Sequence, residues 1–191
     1  MDEELDGYDK VVYFIDKNNV ICEIGEGWDG AARTGNAPDS LNHDQVIDNP
    51  ISYCMSDDNT RMYYDAMFKL CRLRNETLMR DYRCDSSTHQ RFMRVILIPL
   101  EDGRIKMVHS TIREEPFDHP ITLIDHGRQN HKGSISRYVK RCSMCNKLRL
   151  PGADNWTAPE EVTVEREQTL NVIHAICENC NSFDWRVKPE T

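Results

Sequence analysis

The chain has 191 residues, of which 39% are hydrophobic and 29% charged, with a formal net charge of −8. This balance excludes a disordered chain and is enough for one ordinary domain plus a small second one. No apolar run approaches a membrane span, and the opening Met1-Asp2-Glu3-Glu4 is acidic where a signal peptide is basic, so a cytoplasmic protein with no membrane contact is expected.

In chain order, residues 1–9 read as an acidic leader. Val11–Ile15 and Val20–Ile24 are β-rich runs joined by the polar turn Asp16-Lys17-Asn18-Asn19, a hairpin signal. Gly25-Glu26-Gly27 breaks the second run, and Asp29–Arg33 has room for one helical turn. Residues 34–44 read as loop, and Val46–Tyr53 as a short segment interrupted by Pro50. Asp57 or Asp58 can cap a helix over Asn59–Arg74, where Met62, Ala66, Met67 and Leu70 recur at helical spacing. Three strands follow over Thr77–Asp85, Gln90–Leu100 and Arg104–Arg113, the last two separated by the turn-forming Asp102-Gly103. The order predicts an α+β domain over 10–116: a five-stranded antiparallel sheet with helices on one face. Residues 117–137 read as a connector, partly helical from Ile121, and 138–191 as a small separate module.

The eight cysteines fall into two groups. Cys22, Cys54, Cys71 and Cys84 are single and read as small buried hydrophobes. Cys142, Cys145, Cys177 and Cys180 form two Cys-x-x-Cys pairs 31 residues apart. Two residues between cysteines let one tight turn aim both thiolates at one ion, and two such turns close a tetrahedron. This predicts one structural Zn²⁺ in a zinc-knuckle module. His174, three residues before Cys177, is a competing ligand; the two symmetric pairs favour the four cysteines.

Charge is unevenly spread. Residues 126–150 carry seven Lys or Arg and no acid, between an acidic body and an acidic end. Arg137, Lys140 and Arg141 are the candidate basic contact in this joint, to nucleic acid or an acidic protein; the alternative is a solvated segment that balances the thiolates. No Gly-x-Ser-x-Gly, P-loop, Gly-x-Gly-x-x-Gly or His-Glu-x-x-His occurs, so no enzyme is expected.

Residues 8–116 resemble the PAS sensor domain, in its bacterial class. The resemblance rests on the element order and on Gly27-Trp28 after the first hairpin, Val46-Ile47-Asp48-Asn49-Pro50 before the middle helices, Asp58-x-Thr60-Arg61-x-x-Tyr64 at the long helix, and Tyr82-Arg83-Cys84-Asp85-Ser86 with Arg91-x-Met93 on the central strands. Asp48 stands where that class usually has glycine. The segment from Ile173-His174-Ala175-Ile176-Cys177 to Cys180, with Trp156 upstream, is similar to a His-Gly-Ile-Cys-x-x-Cys ending of bacterial signalling proteins.

The resemblance implies a pocket between sheet and helices, a sheet face available for a homodimer contact, and sensing or protein–protein regulation as the role. His109, Cys84 and Tyr82 are candidate pocket residues; His109 shares its strand face with Ile105 and Met107. No haem or flavin is expected: the long helix carries no histidine, and Ser52-Tyr53-Cys54-Met55 departs from the flavin motif. The expected function is a sensor or adaptor that binds a small ligand or a partner protein and relays the signal through the zinc module. A nucleic-acid-binding zinc protein using residues 128–149, and a zinc/thiol redox switch, are the alternatives. Deleting residues 137–191 is expected to leave the first domain folded and to remove partner binding.

Overall fold

A computed structural model describes residues 10–34, 38–55, 57–125, 138–162 and 168–182. The first half builds the predicted sheet. Strands β1 (Val11–Ile15) and β2 (Ile21–Ile24) form the opening hairpin, and β3 (Leu78–Arg83), β4 (His89–Pro99) and β5 (Ile105–Pro116) complete it in the order β2-β1-β5-β4-β3, antiparallel throughout. Between β2 and β3 lie helix α1 (Trp28–Thr34), two single-turn 3-10 segments, the four-residue α2 (His43–Val46) and the long α3 (Asp58–Arg74).

Strand alternation decides what the sheet buries. The ladder places Tyr13 opposite Met107, Val95 opposite His109 and Arg80 opposite Val95, so their side chains share one face. Tyr13, Met107 and Val95 of that row, with Ile15, Ile105, Leu97 and Leu78, form the core together with Tyr64, Phe68 and Cys71 of α3. Gly27 is required where it stands. Its φ is +81°, and a Cβ there would lie 1.9 Å from the Lys10 carbonyl oxygen. The next residue, Trp28, donates from Nε1 to the Leu41 carbonyl at 2.8 Å and meets the edge of Tyr13. Asp48 is left-handed at φ 63°, a conformation glycine adopts freely and aspartate tolerates.

Helix α3 starts where its cap predicts: Asp57 Oδ1 accepts from the Thr60 N–H at 2.9 Å. Its left-handed C-cap is Asn75. The buried stripe differs from the expected one. Tyr63, Tyr64, Phe68 and Cys71 face inward, while Met62 is 72% exposed. Met67 and Leu70 still pack against the core as partly buried residues; burying three aromatic rings removes more apolar surface from water than burying Met62, which accounts for the helix's rotation.

The connector contains a strand rather than a helical segment. Ile121–Asp125 forms β6, whose Ile121 N–H donates to the Ser87 carbonyl. A second sheet has the order β6-β9-β7-β8, with β7 (Val139–Cys142), β8 (Leu148–Arg149) and β9 (Gln168–Ala175). β9 runs parallel to both β6 and β7. The run Ile-Thr-Leu-Ile has strand propensity, and β9, more than forty residues later, supplies its hydrogen-bond partners. Two short helices complete the module, α4 (Pro159–Val162) and α5 (Glu178–Asn181).

The two units share a core. Cys142, Met144, Cys177 and Cys180 lie in the same buried cluster as Tyr63, Tyr64 and Phe68. An independent first domain is therefore not what the packing describes: removing residues 137–191 would strip apolar cover from α3.

Candidate metal centre

The β7–β8 hairpin shapes the first cysteine pair. The Cys142 N–H donates to the Lys147 carbonyl at 2.8 Å, and the Asn146 N–H donates to the Cys142 carbonyl at 3.0 Å. Asn146, left-handed at φ 59°, closes the turn and is buried. The second pair brackets the start of α5, with Cys177 as its cap residue and Cys180 inside it. Parallel pairing of β7 with β9 sets Cys142 opposite Ala175, which brings the two pairs together.

The four sulfurs lie within 4.8 Å of one another, and Cys145 Sγ stands 3.7 Å from Cys177 Sγ. A tetrahedron with metal–sulfur bonds of about 2.3 Å has edges of about 3.8 Å, so the spacing fits a bound ion. The Cys177 N–H points at Cys142 Sγ from 3.4 Å, a contact that favours a thiolate. Thiol hydrogen bonds from Cys145 and Cys180 hold the Cys142 pKa well below that of a free thiol, and the reciprocal bonds push Cys145 up to about 12. An ion would replace the shared protons. An all-sulfur donor set selects zinc, copper(I) or iron–sulfur chemistry over hard cations.

His174 does not join the sulfurs. Its Nδ1 lies 3.0 Å from Ser143 Oγ and 3.4 Å from Asp57 Oδ2, and its Nε2 lies 3.2 Å from Asp125 Oδ2. It ties β9 to the cap of α3 and to β6. Two further residues, not singled out in the sequence, hold the cluster onto the first sheet. Tyr63 Oη donates to the Cys180 carbonyl at 3.2 Å, and Arg80 Nη1 donates to that carbonyl at 2.8 Å and bonds Tyr63 Oη. The alternation Leu78-x-Arg80-x-Tyr82 was the signal for Arg80: it puts a guanidinium on the buried face, where a partner is obligatory.

The pocket candidates divide. His109 lies between two tyrosines, with Tyr82 Oη 2.8 Å from Nδ1 and Tyr13 Oη 3.2 Å from Nε2. Cys84 is exposed, past the end of β3. Burial lowers the His109 pKa from 6.5 to about 4, so the ring is neutral and one tyrosine donates while the other accepts. Because the unfolded chain takes up this proton near pH 6.5 and the folded chain only near 4, the stabilisation is complete above about pH 6.5 and is lost on acidification to about pH 4. The loss amounts to about 3 kcal/mol by pH 4, at about 1.4 kcal/mol per pH unit. His109→Phe is expected to remove that slope in denaturation measured between pH 7 and 4.5; an unchanged slope would refute the assignment.

The basic joint is only partly a surface. Arg137, like Arg128 and Lys132, lies outside the described residues. Lys140 is half-buried. Arg141 turns inward and donates from Nε to Asn146 Oδ1 at 2.8 Å, because its position opposite His174 on the inner sheet face points it at the first unit. Arg149 stacks on Trp156 and pairs with Glu178 at 3.4 Å. Neither Arg141 nor Arg149 is thus an unengaged surface cation.

These features define the class: an α+β chain with a PAS-like five-stranded antiparallel sheet and a four-cysteine cluster consistent with a zinc module. No family model and no curated protein matches the chain. Among solved structures it is similar to a domain of an HTR-like protein from Haloarcula marismortui ATCC 43049, at 13% identity and a TM-score of 0.41, over 55% of this chain and 99% of that one. It is also similar to a sensory box sensor histidine kinase from Vibrio cholerae, at 11% identity and a TM-score of 0.40, over 56% of this chain and 85% of that one. Likenesses this weak carry no argument about function. No helix among the described residues is long and apolar enough to cross a membrane.

Proposed function

We propose that the chain is a non-enzymatic sensor or adaptor. A small ligand or partner protein engages the PAS-like unit, and a zinc-held module presents the output surface to a protein of a signalling pathway. One observation carries this reading: the cysteine cluster is built into the sensor core, through the Tyr63 and Arg80 bonds to the Cys180 carbonyl. A change at α3 or β3 reaches the cluster by direct contact, and the reverse holds by linkage. Zinc supplies folding energy to the module and leaves no open coordination position for substrate.

The test uses the full chain. Native mass spectrometry is expected to find one zinc per chain. Hydrogen exchange with and without a chelator is expected to show lost protection at residues 57–64 and 78–83 as well as at the cysteine pairs. Loss confined to residues 138–182 would break the relay.

A further inference from the structure

Arg141 lines a cleft of about 190 Å³ between the two units, with Asp85, Ser86, Ser87, Leu123 and Pro159 among the other walls. Its Nε is held by Asn146, and among the described residues no carboxylate pairs with its two Nη groups. The nearby acids are committed elsewhere. Asp85 accepts from Arg83 at 3.1 and 2.7 Å and from the Arg91 N–H at 3.0 Å. Glu160 pairs with Arg83 at 3.0 Å, and Asp125 with His174 at 3.2 Å.

A fixed guanidinium fork facing a small cleft matches the planar geometry of an oxyanion. Further donors lie beside it. Ser87 Oγ is not engaged by a described partner. Leu123 is two residues beyond Ile121, whose N–H already reaches out to Ser87, so alternation turns the Leu123 N–H to the same outer edge of β6. The volume is below that of a site for a drug-sized ligand. We propose that this cleft is a binding site for a small oxyanion, a phosphate or carboxylate, gripped by the Arg141 Nη groups at the junction of the two units. Arg141 precedes the ligand Cys142 and bonds Asn146, which follows the ligand Cys145, so an occupant would bear on the first cysteine turn. The site stands or falls independently of any ligand in the PAS-like unit.

The test titrates the metal-loaded full chain with inorganic phosphate, then with acetate, at constant ionic strength maintained with chloride. Amide resonances of Ser87 and Leu123 and the Arg141 Nε resonance are followed. Saturable shifts are expected. Arg141→Gln is expected to weaken binding by about tenfold or more, the effect of losing a charge-assisted pair. Saturation by phosphate alone assigns a phosphate-type ligand; saturation by both admits carboxylates. If Arg141→Gln does not fold, Ser87→Asp serves instead: its carboxylate would occupy the cleft, abolish the phosphate response and raise Tm. Shifts that are absent, that rise linearly with concentration, or that persist equally in the variant used would overturn the proposal.

Discussion

Replacing Cys177 with serine in the full chain is expected to cost at least about 4 kcal/mol of stability in zinc-containing buffer, because structural zinc contributes about 10–16 kcal/mol of apparent binding energy and one thiolate in four is a large share of it. The loss would not stay local. Cys177 is buried in the cluster that contains Tyr63 and Phe68, so unfolding of the cysteine turns would expose the inner side of α3. Equilibrium denaturation should therefore show a lower midpoint for the whole chain, and cobalt substitution should lose the thiolate charge-transfer band of a four-sulfur site. Cys22→Ser is the control. Cys22 is exposed and outside the cluster, and its substitution should leave both readouts unchanged. Equal midpoints for the two variants would show that no ion stabilises this fold.

The second large effect is expected at Arg80, which is buried on the inner face of the first sheet. Arg80→Ala removes a donor to the Cys180 carbonyl and to Tyr63 Oη, and the guanidinium that lies 5.6 Å from the Tyr63 ring centroid. Two hydrogen bonds to a charged group are worth about 3 kcal/mol or more, and the truncation leaves a cavity besides. Arg80→Met keeps much of the volume, so the difference between the two variants separates packing from polar contact. Metal affinity should fall with stability, by about tenfold, since the same bonds orient the Cys180 turn. A full loss of stability with unchanged zinc affinity would mean that Arg80 supports the sheet without positioning the cluster. Tyr63→Phe should reproduce part of the effect, and a double-mutant cycle should find the two sites coupled.

Local patterns were legible and the partners of those patterns were not. The two Cys-x-x-Cys pairs, the first hairpin and the Asp102-Gly103 turn each depend on residues within a few positions of one another, and each appears as read; of the two cap candidates, Asp57 and Asp58, the structure uses Asp57. On the long helix, apolar spacing alone selected Met62; the helix rotates to bury Tyr63 and Tyr64, a choice made by the sheet it packs against. Arg141 read as a surface cation because charge runs usually are solvated. Its side chain instead follows the pleat of β7, whose inner face only the pairing with β9 defines.

The sequence by itself determined the α+β order of elements and the four cysteines that form the candidate metal cluster, because turn chemistry, strand alternation and Cys-x-x-Cys spacing act at short range. Tertiary structure alone decided that the cysteine module shares the core of the first sheet. β6 pairs in parallel with a strand that begins 43 residues after its own last residue, counting from Asp125 to Gln168. Such a ladder leaves no mark in the spacing of either strand, since its hydrogen bonds are made by backbone groups that every residue carries. The contacts of Arg80, Tyr63, Asp57 and His174 depend on that assembly and become visible only once it is formed.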